Sequence, residues 1–387
     1  MNEEKNKSYR SAQAASYGMG NYETVNKIYD ECRFNSSQGH GFAAERANDH
    51  IDKLTGHFSR IVGDNNAANG PDRWVNGVCY QTKYYSTARG SINAGFENNG
   101  SGTYRYMQGP FKPMKLEVPS DQYEQAVEIM REKIENGQVP GIKDPQKAND
   151  LIKRGYISYD QSVKIAKAGT IESIVYDAAS GAVIGLAAGG ISFTLTCAIA
   201  MLCGEDFEDA KKLGINNSIE AGKRSALTAL FAGQLSKSAF NSALIPGSKA
   251  LAGLLGPETS AAIVNSFRIG PDIFGAAAVN GCAKILRGNI LSSVAALGVF
   301  TAMDAVKYAK KEITGKQLSH RAAGNAATIA AGSAGFLLGQ AIIPIPVIGG
   351  LIGSFIAGAT SGCIVNDTTY LLEEINPMIV ENTSTAD

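Results

Sequence analysis

The residues with the clearest capacity for chemistry lie in 69–85, NGPDRWVNGVCYQTKYY. Asp72 stands on one short extended run, Asn76-Gly77 supplies a tight turn, and Gln81 and Lys83 follow two positions apart. Side chains alternate between the faces of a strand, so Gln81 and Lys83 share one face. Asn-Gly between two apolar-alternating runs predicts a hairpin, which brings Asp72 across from that pair. An acid, a second oxygen ligand and a lysine on one sheet face make a site for metal-dependent phosphodiester hydrolysis. Mg²⁺ (or Mn²⁺) takes one or two protein oxygens and keeps several waters. Asp72 is the charged ligand in this reading, and the Gln81 side-chain oxygen or the Thr82 carbonyl completes the protein's share. The metal activates a water and stabilises charge on the phosphate. Lys83 holds or polarises that water and offsets the phosphoryl charge. The plain alternative is an ordinary hairpin with an exposed Asp, Gln and Lys.

The elements that must position these groups are readable from periodicity. Residues 42–54 form an amphipathic helix, with Phe42, Ala47, Ile51 and Leu54 near helical spacing and Gly56 as the stop. Glu45 falls in its first turn, where an acid complements the helix dipole. Residues 57–62 are the first strand and 64–69 a polar loop, whose Asp64 rivals Asp72 as the metal acid but sits in a weaker context. His40, His50 and His57 have no recognised ligand spacing, and Trp74 is expected to pack rather than to stack on a base. A crossover helix over 86–96 carries Arg89; strands follow at 104–107 and 114–118. Arg89, Arg105 and Lys112 are the candidate phosphate contacts, with solvated surface charge as the alternative. A helix over 121–134 is capped by Ser120, with Arg131 and Lys133 near its end. Residues 144–154 and 158–176 read as two further helices, and 1–38 as a loosely docked polar arm with a short helix over 22–32.

The string Pro71-Asp72 … Gln81-Thr82-Lys83, with Glu45 upstream in GHGFAAERAND, resembles the PD-(D/E)xK nuclease superfamily. The resemblance is to the branch that writes Q-x-K, as Mrr-type nucleases and some Holliday-junction resolvase relatives do, and it covers 39–136. It implies a restriction-endonuclease-like α/β fold, a mixed sheet flanked by helices, acting on DNA. It also implies that Glu45 joins Asp72, Gln81 and Lys83 in the catalytic set, as an outer metal ligand or a supporting acid. Gln in place of Glu removes a negative charge, so the implied metal affinity is weaker.

The chain has 387 residues, 36 Lys plus Arg against 36 Asp plus Glu, and six cysteines without a C-x-x-C pair. That composition excludes a globally basic nucleic-acid binder, a zinc knuckle and a disulfide framework. No apolar h-region opens the chain, so a secretory signal is not expected. Residues 178–204 carry no charged residue and are long enough to span a bilayer. A second uncharged stretch, 322–366, is long enough for two spans, turned at Pro344 and Pro346, while 289–303 is apolar but short. Gly181, Gly185 and Gly189, and then Gly335 with Gly339 and Gly349 with Gly353, resemble the glycine-zipper segments of bacterial membrane proteins. The expected organisation is an arm (1–38), an α/β nuclease-like domain (39–140), a helical connector (141–177) and an all-α, Gly/Ala-rich membrane domain (178–387). The expected function is a membrane-tethered, Mg²⁺-dependent DNA endonuclease at the bacterial inner membrane. Its nuclease domain is cytoplasmic, the chain assembles as a homo-oligomer, and its role is defence against phage or plasmid DNA. A membrane-permeabilising effector with a nucleic-acid-sensing domain and a non-catalytic membrane scaffold are the alternatives.

Overall fold

The computed structural model describes residues 3–62, 69–109, 112–267, 272–343 and 347–358, with side chains from residue 12 onward. In chain order, α1 (Glu3–Glu31), α2 (Gly39–Leu54), β1 (Ser59–Ile61), β2 (Arg73–Val75), β3 (Val78–Thr82) and α3 (Ala88–Asn93) are followed by β4 (Lys115–Val118), α4 (Tyr123–Glu135), α5 (Ala148–Leu151), β5 (Ile152–Arg154) and α6 (Tyr159–Ile165). The long helices come next: α7 (Ile171–Leu202), α8 (Phe207–Ser236), a short α9 (Ala239–Ala243), α10 (Ile245–Phe267), α11 (Gly275–Ala309), α12 (Gly315–Ile342) and α13 (Ile348–Gly358). Two units result. One is Glu31–Tyr176; the other joins the residues before it to those after it.

The Glu31–Tyr176 unit holds one five-stranded sheet in sequential order. β1, β2 and β3 run antiparallel, while β3, β4 and β5 are parallel. The β2–β3 bend is Asn76-Gly77, both with positive φ (48° and 82°), as a two-residue hairpin of matching twist demands. Parallel neighbours require crossovers, and α3 and α4 lie on them. Leu116 and Val118 of β4 face these helices and join a core with Cys79, Ile92, Met130 and Ile152. The opposite face, with Arg73, Thr82 and Glu117, turns to α2.

Several boundaries differ from expectation. Residues 144–154 are not one helix: a 3-10 turn and α5 lead into β5, which pairs with β4. Such a pairing partner is remote in sequence and leaves little local signal. The expected 158–176 helix breaks near Gly169 (φ 80°), after which α7 begins. Residues 104–107 form only isolated bridges, Phe96 with Tyr104 and Met107 with Pro113. The helix expected over 22–32 is the end of a longer one, α1, and the arm is not loosely docked: Tyr22, Val25 and Ile28 are buried in the helical unit. The expected connector, with β5 and α6, belongs to the sheet unit up to Tyr176.

In the helical unit, α7 and α11 are long and apolar enough to cross a membrane, and only 39% of the most apolar window of each is buried. Among the described residues the second long apolar helix is α11, which runs on through Lys284 and Arg287. α12 is diluted by Lys316, His320, Arg321 and Asn325, and α13 is short. Pro344, Pro346 and 359–366 lie outside the described residues. The glycine stripes serve close packing within the chain. A Cβ at Gly181 would stand 2.5 Å from the Ala226 carbonyl oxygen, and one at Gly185 2.6 Å from that of Gly222. Gly335 and Gly339 meet Gly353 and Gly349 of α13 in the same way. Buried Asp177 ties α1, α7 and α8 together, accepting from Lys27 at 2.6 Å, Lys237 at 2.9 Å and Gln234 at 2.6 Å.

Candidate functional site

Asp72 immediately precedes β2 and is held in the ladder at both ends. Its N–H donates to the Tyr80 carbonyl and its carbonyl accepts from Val62, each at 2.9 Å. This sets its side chain on the face of Gln81 and Lys83. The Asp72 Oδ2 accepts from the Thr82 backbone N–H at 2.9 Å and from Lys83 Nζ at 3.3 Å. Lys83 Nζ also donates to Gln81 Oε1 at 2.6 Å, and the Gln81 amide nitrogen donates to the Gly70 carbonyl. The three predicted groups thus form one connected cluster. Lys83 further lies 5.0 Å from the Tyr106 ring centroid. Burial pulls the Lys83 amine down, but the Asp72 carboxylate and the Tyr106 hydroxyl, by charge and by hydrogen bonding, carry it above the ordinary lysine value.

A cavity of about 340 Å³ opens beside the cluster, lined by His40, Glu45, Asp72, Lys83, Tyr85 and Tyr159 among others. Glu45 of α2 is among the residues that line it. Asp72 Oδ1 has no hydrogen-bond partner among the described residues. No group of three or more His, Cys, Asp or Glu side chains able to hold a metal occurs among the described residues. Asp72 and Glu45 both line the cleft, whereas Gln81 does not and its side-chain oxygen accepts from Lys83; two carboxylates suit an ion that keeps most of its water, which is the habit of Mg²⁺, and not a closed zinc or calcium cage.

The predicted phosphate contacts are dispersed. Arg105 shares the Tyr106 ring with Lys83, its guanidinium 5.3 Å from the centroid and 2.9 Å from the hydroxyl. Arg89 on α3 faces Glu132 of α4 at 3.7 Å. Lys112 is exposed on the loop before β4. Asp64 lies outside the described residues. The histidines have other roles: His40 Nε2 meets the Tyr84 carbonyl at 3.0 Å, His50 stacks on Tyr176, and His57 Nδ1 meets Thr55 at 3.0 Å.

A buried charge network on the other sheet face was not foreseen. Arg73, fully buried, donates to Glu117 Oε2 at 2.7 Å and to Asp52 Oδ2. Lys153 lies 3.0 Å from Asp52 and 3.4 Å from the otherwise unpaired Glu117 Oε1, and Tyr156 donates to Asp52 at 2.8 Å. Thr82 joins both faces: its N–H holds Asp72 and its hydroxyl donates to Glu117 at 3.0 Å. The buried face of α2 is accordingly Ala47, Asn48, Asp49 and Asp52, while Leu54, expected inside, is 69% exposed. One signal was present in the sequence: Glu117 and Arg73 occupy the alternate positions of strands whose other positions were assigned.

Fold and site define a two-unit chain: a small mixed-sheet domain with an acid–amide–lysine cleft, and a Gly/Ala-rich helical unit. Residues 22–135 match the model of the YeeR C-terminal domain family. The inner membrane protein YeeR of Escherichia coli (strain K12) is 57% identical over 102 residues, 26% of this chain and 20% of that protein. The chain thus spans about a fifth of the length of that curated relative. No solved structure matches. These findings overturn the resemblance to PD-(D/E)xK nucleases and to their Mrr-type and resolvase-type branch, since no nuclease family matches. The resemblance rested on a few residues of one hairpin, whereas the family match extends over all of 22–135.

Proposed function

We propose that the sheet unit hydrolyses phosphodiester bonds in DNA with Mg²⁺, and that the helical unit holds it at the bacterial inner membrane with the sheet unit in the cytoplasm. The observation that carries the first part is the convergence of Asp72, Gln81 and Lys83 beside a cleft that Glu45 also lines. Asp72 and Glu45 would hold the ion. When bound, Mg²⁺ supplies water activation and neutralises charge on the phosphate. The chain's own residues do the rest. Lys83, held by Asp72 and Gln81, offers its Nζ donor to a phosphoryl oxygen, where negative charge grows. The Thr82 N–H fixes one oxygen of Asp72, and the Gly70 carbonyl fixes the Gln81 amide so that its oxygen faces Lys83. Arg105, beside Tyr106, adds positive charge next to the cleft.

The membrane part is supported by α7 and α11, by outward apolar side chains such as Val183, Leu186, Val294 and Leu297, and by the name of the 57% identical relative. A core helix of a water-soluble domain would bury most of its apolar surface; these helices leave the greater part outside.

The test uses the full chain in lipid nanodiscs with supercoiled plasmid. Nicking with Mg²⁺, abolished by chelation, is the expected result, and Lys83→Ala or Asp72→Ala lowers the rate by about 10²–10³. No nicking by the parent chain, or equal nicking by the double variant, refutes the proposal.

A further inference from the structure

The sheet face that bears Asp72, Gln81 and Lys83 is covered unevenly. Over β3, β4 and β5 it is sealed by the core under α3 and α4, with Cys79, Leu116 and Ile152 buried. Over β1 and β2 the same face is open. By register Arg60 pairs with Trp74 and Trp74 with Cys79, so all three share it. Trp74 is 44% exposed, contrary to its expected packing role, and its indole N–H donates to Cys79 Sγ at 2.8 Å. The ring is thus held in one orientation while much of it meets solvent. Arg60 is exposed and makes no ion pair among the described residues. Phe58 falls on this side by alternation, is 70% exposed, and its backbone is fixed by Asn76: its carbonyl accepts from the Asn76 N–H and its N–H donates to Asn76 Oδ1, each at 2.9 Å. Trp74 is one same-face position from Asp72, about 7 Å along the strand.

We infer that Trp74, with Arg60 beside it, is a stacking platform for an unpaired base of single-stranded DNA whose neighbouring phosphate enters the Asp72–Lys83 cleft. The inference rests on the proposed function for the direction of the strand, and its platform is tested separately. An aromatic next to a cation is the combination that tracks single strands: every base has a face to stack, and every phosphate a charge to meet. A duplex keeps its bases stacked on one another and offers this ring nothing to cover. The other occupant for an exposed tryptophan is a lipid headgroup region, and the experiment separates the two.

Trp74 is the one tryptophan of the chain, so intrinsic emission reports on this position alone. The full chain in nanodiscs, with chelator present to prevent cleavage, is titrated with a thymidine oligonucleotide of about 12 nucleotides, within the usual range of single-strand site sizes. Saturable quenching is expected, with little effect from a hairpin duplex of the same length. By anisotropy of a labelled oligonucleotide, Trp74→Ala weakens binding about 5- to 150-fold, the value of one stacked base. Trp74→Phe keeps most of the affinity, which separates stacking from a folding defect. Arg60→Ala lowers the slope of log affinity against log salt by about one. Equal quenching by duplex, or no quenching by the oligonucleotide together with a blue shift on adding anionic vesicles, overturns the inference. Quenching without any nicking leaves the platform standing and removes the hydrolase. Nicking with Trp74→Ala unchanged in affinity does the reverse.

Discussion

Removing the guanidinium of Arg73 is the sharpest test of how the sheet unit is held. Arg73→Met keeps the volume and strands two carboxylates, Asp52 at 1% and Glu117 at 0% exposure, with Lys153 as the cation left to face both. Breaking a buried ion pair from one side costs about 3–5 kcal/mol, because the remaining charge is neither solvated nor matched. A unit of this size loses roughly 2–4 °C per kcal/mol, so the melting midpoint falls by about 6–20 °C. Emission of the adjacent Trp74 follows the transition of this unit alone. Two companions fix the cause. The triple change Asp52→Asn, Arg73→Met, Glu117→Gln removes the charges together and recovers much of the loss. Acidifying the single variant also narrows its gap to the parent, since protonation relieves the stranded acids. A midpoint within about 2 °C of the parent chain, well short of the loss expected, refutes the claim that this network supports the sheet.

Acid sensitivity follows from Asp52. Burial pushes its carboxyl up, but hydrogen bonds from Tyr156 and Lys153 and the charges of Lys153 and Arg73 outweigh that and hold it below the ordinary range. A depressed folded value means the contribution is fully present above about pH 4 and is lost as pH falls through the folded value. Acid titration of the Trp74 signal should therefore show a steeper loss for the parent than for Asp52→Asn, and identical slopes would contradict the assignment. In the helical unit, Gly185→Leu drives a side chain into the Gly222 backbone and costs about 1–3 kcal/mol or more, whereas Gly190→Leu, with no atom within 4 Å of its Cβ, is harmless. Circular dichroism melts in detergent compare the two; equal midpoints would show that α7 and α8 do not touch as described.

The hairpin was legible because its signal is local. Asn76 and Gly77 are neighbours in sequence, and the alternation that aligns Asp72, Gln81 and Lys83 needs no distant partner. β5 was missed because its stability comes from β4, far away in the chain. The inner face of α2 was misjudged for a related reason. Asn48, Asp49 and Asp52 look like a solvated face until Arg73 and Lys153 arrive from the sheet to neutralise them. Trp74, expected to pack, is 44% exposed because the core under α3 and α4 includes no residue of β2. α11 was cut short at Lys284 and Arg287, yet a long helix tolerates a charge where an aromatic receives it, as Tyr29 receives Lys284 at 5.7 Å.

The sheet unit is inserted into the helical one, between Asp30 and Asp177, and the ion pair of Lys27 with Asp177 shows the two points of insertion drawn together. On a ribosome, α1 therefore emerges well before the helices that bury its Tyr22 and Val25, and an entire domain is translated in the interval. Until then its apolar side chains must be shielded by something other than their final neighbours. The same closeness of the insertion points means that excising the inserted residues and bridging the gap with a short linker asks little of the chain that remains.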